Sequence, residues 1–491
     1  MIFGHDFQYY QDQTDEIGFV ESTRHPLLTL SGLPGSFVDE VILFENDDIG
    51  VVTALNDSML EVSSFGTLPI GLKTKAVRTG SKIKFPVGDS MLGKVLSPLG
   101  HSKYVEDPFH DVQEYVDIYS EIKTIKNRKK ITEPYYTGVS IVDLLLPLGK
   151  GQRELVIGDK QTGKTSFLTQ ICNSQYKNNN ITIYCCIGKT KADIKKIETS
   201  ISSYGLKDKL VMIVAESSDP IGTIIISPFT AMAVAEWFMN KGKDVTVIFD
   251  DLTSHGKYYR ELSLLGNRFP GRSSYPGDIF NIHAKLLERG GCFAINGVEA
   301  SITCLPVADT VENDISGYIQ TNLMSITDGH IFLDKDLFTK GRRPPVNYFL
   351  SVTRVGRQTQ NNLRWSISRE LLSFLTLYEK VKGFVQFGAE LNEGTQSTIQ
   401  MGERIETIFN QDLDEILPIS LQILIFTIVW IGRWNNESMA SIRVKQKKMI
   451  HMYFNDSSYA GTVDSIVYNS KDLNQLLFVV NQNIESILKY V

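Results

Sequence analysis

A chain of 491 residues, 42% of them hydrophobic, is too long for one ordinary core, and two or three folded domains are expected. Its 50 basic residues against 56 acidic ones leave a net charge of −6, which excludes a surface given over to nucleic-acid phosphates, though not a local basic patch. The five cysteines, Cys172, Cys185, Cys186, Cys292 and Cys304, show neither C-x-x-C nor His-paired metal spacing and read as reduced packing residues of a cytoplasmic chain.

Residues 1–17 form a short N-terminal segment with early acidic residues and no cationic start followed by an apolar run, so no secretory signal is expected. From 18 to 84, short apolar or alternating runs ("FVDEVILFE", "IGVVTALN", "MLEVSSFG") broken by Gly, Asn-Asp and Pro predict a small β-barrel or sandwich. Between 85 and 364, apolar strands alternate with helical stretches: "RELVIG", "ITIYCCIG", "KLVMIVAES", the helix-like "IISPFTAMAVAEWFMNKG", then "DVTVIFDD". That alternation predicts a mainly parallel sheet covered by helices, an α/β domain. From 365 to 491 helical periodicity dominates and a helical domain is expected. Within it, "ILPISLQILIFTIVWIGRW" from Ile416 is the one stretch approaching membrane-spanning length, but Pro418, Ser420 and Gln422 interrupt it, and a buried helix is the better reading.

Gly158-Asp159-Lys160-Gln161-Thr162-Gly163-Lys164-Thr165 matches the phosphate-loop pattern G-x-x-x-x-G-K-[ST]. The strand "RELVI" before it and the helix start "TSFLTQIC" after it are the context the motif needs, because backbone N–H groups and the positive helix end then converge on phosphate. Without that context the same residues would be an ordinary glycine-bearing turn. Lys164 is assigned to the β and γ oxygens of ATP or ADP, and the Thr165 hydroxyl to Mg²⁺. A metal site of this kind also needs a carboxylate at a strand end, and Asp250 in "VTVIFDD" is the candidate. Taken alone, an Asp there is more often a turn signal.

These motifs, with "VRTG…PVG", "DDLTSHGKYYRELSLL", "PGRSSYPGDIFNIHAKLLERGG", "SGYIQTNLMSITDGHIFL", "LFTKGRRPPVNYFLSVTRVG" and "FVQFG" in the same order, resemble the alpha subunit of F1-type rotary ATPases from about residue 18 onward. The resemblance implies a β-barrel, a RecA-like P-loop domain and a helical domain. It also implies an α3β3 hexamer with a catalytic beta-type subunit around a gamma-like central shaft, reaching the cytoplasmic face of a membrane only through the complex. The Gln-Thr before Gly163 is alpha-like; a beta-type loop runs closer to G-G-A-G-V-G-K-T.

In catalytic members of this fold the strand after the phosphate loop ends in Gly-Glu, and that carboxylate polarises the attacking water. Here Lys189 holds the position, where the resemblance leads one to expect Gln in an alpha subunit. An ammonium has no acceptor with which to align water, so hydrolysis at this site is not expected. Two placements of Lys189 stay open from sequence: against phosphate, or outward in a loop with Lys191 and Lys195. By resemblance, Arg354 in "SVTRVG" is the arginine finger offered to the neighbouring subunit, and Phe338, Arg343 and Gln386 surround this chain's own adenine. Without the resemblance, Arg354 is one arginine among Arg342, Arg343 and Arg357, Phe338 reads as core, and Gln386 as a solvated helix residue.

Two regions depart from the family. The N-terminal segment is unlike the helical segment that docks a peripheral stalk, and the apolar run from Ile416 replaces a more polar one, so extra apolar surface against an unusual neighbour is expected. The complex implied by the resemblance is coupled either to proton transport or, as the alternative these departures suggest, to another load such as gliding motility in a specialised F1-like assembly like the duplicated forms of wall-less bacteria. The rivals are a homohexameric protein-export ATPase, which must keep the catalytic Glu, and a Rho-like RNA translocase, which the acidic composition disfavours. Histidines read as scattered packing residues, and "RVKQKKM" at 443–449 as a solvated helix face.

Overall fold

The computed structural model describes residues 6–56, 58–103, 109–295, 297–386 (side chains to 384) and 393–489. Two compact units emerge, Met1–Lys130 with Gly151–Ile157 and Gln175–Asp328, and Ile131–Lys150 with Gly158–Ser174 and Gly329–Val491.

In the first unit, six strands, β1 (Gly18–Arg24), β2 (Leu27–Ser31), β3 (Glu40–Phe44), β4 (Ile49–Asn56), β5 (Met59–Ser64) and β6 (Lys75–Lys82), close into a barrel in the order β1-β2-β5-β4-β3-β6. Alternation along each strand turns Val20, Leu28, Leu30, Ile42, Phe44, Val52, Leu60 and Val62 into one interior cluster, which is why the short apolar runs settle in this register.

The same unit holds the sheet of the α/β domain. Its strands are β7 (Val95–Leu96), β8 (Glu154–Asp159), β9 (Ile181–Lys189), β10 (Leu210–Glu216), β11 (Val245–Asp250) and β12 (Val298–Thr310), in the order β8-β12-β11-β9-β10-β7. β9 pairs in parallel with both β10 and β11, and β11 with β12. Strands covered on both faces read as continuous apolar runs, and β11 is buried from Val245 to Asp250. The long apolar helix Ile221–Asn240 is buried from Gly222 to Met239. Among the described helices it alone is long and apolar enough to cross a membrane, so the sequence reading that gave this distinction to the run from Ile416 is corrected. Its burial identifies it as a core helix.

The second unit carries the phosphate-loop segment, an antiparallel pair of Gly329–Leu333 with Val352–Thr353, and the helical domain. The run from Ile416 yields a helix of 12 residues, Ile419–Trp430, buried from Ile419 to Val429. Its polar interruptions have partners: Gln422 Nε2 donates to Asp143 Oδ2 at 2.8 Å, and Asp464 accepts from both Ser420 and Tyr453. The expected extra apolar surface is therefore absent from this stretch, because the domain buries the run within itself. The basic face 443–449 is matched by acids: Arg443 pairs with Glu415, Lys445 with Glu437 and Lys447 with Asp412.

Candidate functional site

β8 ends at Asp159 and a helix of 14 residues, Lys164–Lys177, begins five residues later. The turn between them needs left-handed backbone, at Gln161 (φ 65°) and Gly163 (φ 90°), a conformation that costs a non-glycine residue energy and recurs at ligand sites. Gly158 is required for space, since a Cβ there would lie 2.4 Å from the Leu333 carbonyl oxygen. Thr162 donates its hydroxyl to the Asp159 carbonyl at 2.8 Å and pins the loop. Lys164 is buried, and its ammonium donates to the carbonyls of Gly158 (2.7 Å) and Asp159 (2.6 Å). Lys160 is exposed, Thr165 half-buried, and Lys335 stands 3.8 Å from Asp159 Oδ2. The N–H groups of a helix start, a lysine and a hydroxyl thus gather on one short loop, which is the chemistry that binds phosphate.

Phe338 lies beside this loop, its ring edge 3.7 Å from where a Gly163 Cβ would be. The Arg343 guanidinium sits 3.6 Å from the Phe338 ring centroid and donates to the Phe338 carbonyl at 2.7 Å. The structure brings these two predicted residues together, and an aromatic face with a fixed cation is suited to a base. Gln386 closes the helix Asn362–Gln386, but its side chain lies outside the described residues.

The four neighbouring arginines separate by environment. Arg342 is paired with Glu406, Arg343 stacks on Phe338, and Arg357 lies 5.0 Å from the Trp365 ring centroid. Arg354 follows the short strand Val352–Thr353 and is exposed.

In the other unit, β9 and β11 place a second group of residues. Pairing of β9 with β10 shifts register between Ile187 and Lys189, leaving Gly188 as a bulge at φ 61°. Tyr184 and Cys186 share one face of β9 by alternation; without the bulge Lys189 would fall on the opposite face. With it, Lys189 Nζ reaches Asp250 Oδ1 at 2.7 Å and stands 4.0 Å from Asp251 Oδ2, while Tyr184 donates its hydroxyl to Asp250 Oδ2 at 2.8 Å. The outward alternative for Lys189 does not hold: Lys191 and Lys195 are the exposed lysines, paired with Glu216 and Glu198. Burial alone would pull the Lys189 ammonium down, but Asp250 and Asp251 outweigh it and hold its pKa above the usual lysine value. Asp251 caps the helix Leu252–Leu265 through Ser254, and burial, reinforced by Asp309 and opposed by Lys189, pushes it up to about 6.

The sequence assigned Asp250 to a Mg²⁺ shell, mostly through water, and in the structure its two oxygens meet the Lys189 ammonium and the Tyr184 hydroxyl. Magnesium wants carboxylate or water oxygens with charge to spare, whereas both oxygens of Asp250 are engaged and an ammonium already matches its charge. Thr165 remains an oxygen ligand by residue type. No cluster of three or more His, Cys, Asp or Glu side chains suited to a metal occurs among the described residues.

Sequence reasoning missed Tyr184 and Gly188. The signal for Tyr184 was a tyrosine inside the apolar run Ile181–Ile187, whose buried hydroxyl must find a partner. It also missed that His255 and His283, read as scattered, face each other at 3.0 Å. His255 Nε2 must donate to the Ile225 carbonyl (3.0 Å), so its Nδ1 accepts from His283 Nε2–H and both rings are neutral.

Residues 138–353 match the ATP synthase alpha/beta family, nucleotide-binding domain, and residues 360–483 match the ATP synthase alpha/beta chain, C terminal domain. Over 451 residues the chain is 34% identical to ATP synthase subunit alpha of Neorickettsia sennetsu, covering 89% of this chain and 87% of that one. It is 37% identical over 413 residues to ATP synthase subunit alpha 1 of Pseudoalteromonas atlantica (84% and 78% covered), and 34% identical over 471 residues to ATP synthase subunit alpha of Petrotoga mobilis (95% and 92%).

Proposed function

This chain belongs to the ATP synthase alpha/beta family as a chain of alpha type, and from that premise we propose that it holds ATP or ADP on residues 158–165 without hydrolysing it and lends Arg354 to the hydrolytic site of a neighbouring beta-type subunit. The observation that carries the first half is Lys189 itself, a lysine at the position where catalytic members of the fold carry the glutamate that polarises water. Hydrolysis needs a base or an acceptor that turns water toward the γ-phosphorus. An ammonium offers only donors, and one whose pKa is raised by two carboxylates does not release a proton to become a base.

The loop residues supply retention. The N–H groups of 162–165 and Lys164 bind the phosphates, Gly158 and Gly163 let the backbone approach, and Asp159, Lys160 and Gln161 complete the turn. Phe338 and Arg343 offer a ring and a cation for the base, with Gln386 assigned beside them by the family pattern alone. Arg354 is assigned as the trans-acting residue by the family pattern, and its exposure, which Arg357 shares, is compatible with that role. A planar, permanently charged fork suits the spread charge of a transferring phosphoryl group. The assembly that uses it is a ring alternating this chain with the beta-type subunit around a gamma-like shaft.

The test is to measure turnover of the purified chain alone and of the assembled complex. The chain alone should bind nucleotide and turn over at background, and the complex should be active. Hydrolysis by the chain alone would sink the proposal and favour the self-sufficient export ATPase.

A further inference from the structure

At one edge of the parallel sheet, β7 is only two residues long and pairs with β10 through Val95 with Met212 and Leu96 with Ile213. The helix Lys191–Ser203, which follows β9, buries Ile194, Ile197 and Ile201 at i, i+3 and i+7. Lys195, Glu198, Thr199 and Ser202 repeat that spacing one position on and form an adjoining face. Between this face and the sheet edge lies a cavity of about 310 Å³, built wholly within the first unit. Gly93 lets the far wall close up: its φ is 85°, a Cβ there would lie 3.2 Å from the Lys207 carbonyl oxygen, and its N–H donates to the Leu210 carbonyl at 2.8 Å. Lys207 is thereby set at the same cavity as Lys94.

The lining divides by chemistry. Ile201, Leu210 and Met212 are buried and give an apolar floor. Around it stand three lysines, Lys94, Lys195 and Lys207, against one carboxylate, Glu198. Glu198 is paired with Lys195 at 3.4 Å, and Lys207 has no ion-pair partner among the described residues. Positive charge is therefore in surplus here, in a chain whose net charge is −6. Ammonium groups attract an anionic head as point charges, and the floor rewards a hydrocarbon body. The volume is at the lower end of the range of about 300–1,000 Å³ found for small-ligand pockets.

We propose that this cavity binds a small organic anion with a short apolar body. The site shares no residue with the phosphate loop and does not depend on the nucleotide-binding reading.

Titration calorimetry of the full-length chain with hexanoate tests it, against hexylammonium, which keeps the body and reverses the charge, and acetate, which keeps the charge and loses most of the body. Hexanoate should fill one site per chain with a dissociation constant of about 1 mM or tighter, and both controls should bind about tenfold or more weaker. Lys207→Glu, at an exposed position, should weaken hexanoate about tenfold or more, and Ser202→Trp, also exposed, should block the cavity with its indole, both with urea midpoints like the native one. Should Ser202→Trp lower the midpoint, Thr199→Trp on the same exposed face takes its place. Absence of saturable hexanoate binding by the native chain would overturn the proposal and needs no variant. Either control binding as tightly as hexanoate, or either variant binding hexanoate as the native chain does, would overturn it as well.

Discussion

Lys189 reaches Asp250 because the residue before it, Gly188, has a backbone only glycine adopts cheaply and space only glycine fits: φ is 61°, and a Cβ there would lie 2.3 Å from the Tyr258 ring. Gly188→Ala should therefore cost about 1–3 kcal/mol, through left-handed strain and the clash with the ring. A lowered midpoint in urea unfolding would show it. An unchanged midpoint would mean that β9 does not depend on the bulge.

Arg354→Ala in the assembled complex should lower turnover about 10³-fold or more, and Arg354→Lys should not restore it, because an ammonium cannot present the fork. Lys164→Ala should weaken nucleotide retention while leaving appreciable activity. Steady-state turnover and bound-nucleotide assays on both variants separate the roles, and swapped phenotypes would reverse them.

The pair His255–His283 sets an acid limit on stability. Burial pushes His255 down to about 4 and holds His283 well below its ordinary value. A histidine whose folded pKa lies below its unfolded value of about 6.5 contributes a stability plateau above 6.5 that is lost as pH falls toward the folded value. Unfolding midpoints should hold above about pH 6.5 and drop between 6.5 and 4, His255 alone accounting for at most about 3 kcal/mol. His283→Gln, which removes one titrating ring, should flatten the drop.

Arg289 and Glu236 form a buried double-bonded pair, with contacts of 3.0 and 2.8 Å, and Arg289 also donates to the Ile118 carbonyl and Ser120. Removing one member leaves a buried charge, so Arg289→Met should cost about 3–5 kcal/mol, and adding Glu236→Leu should recover most of it. Chemical unfolding of the single and double variants measures both values.

Much of the architecture was readable before any coordinates, because alternation in 18–84, buried runs ending in Gly or Asp, and helical periodicity after 365 are each imposed by the surface an element must bury. The phosphate loop was legible for the same reason, since its glycines answer local steric demands. What stayed hidden depended on pairing between distant segments. The bulge at Gly188 exists only in the register of β9 against β10, and His255 and His283 are 28 residues apart in sequence. The apolar run from Ile416 could be recognised as buried, but not as finding its polar partners in Asp143 and Asp464, because hydrogen-bond partners leave no periodic trace.

The grip of Lys189 on Asp250 also supplies a counter-ion where two buried carboxylates lie side by side in sequence. A glutamate at 189 would set a third acidic group beside Asp250 and Asp251, both buried. Such a neighbour would add repulsion that the ammonium now offsets, so Lys189 also holds the end of β9 beside β11 by charge.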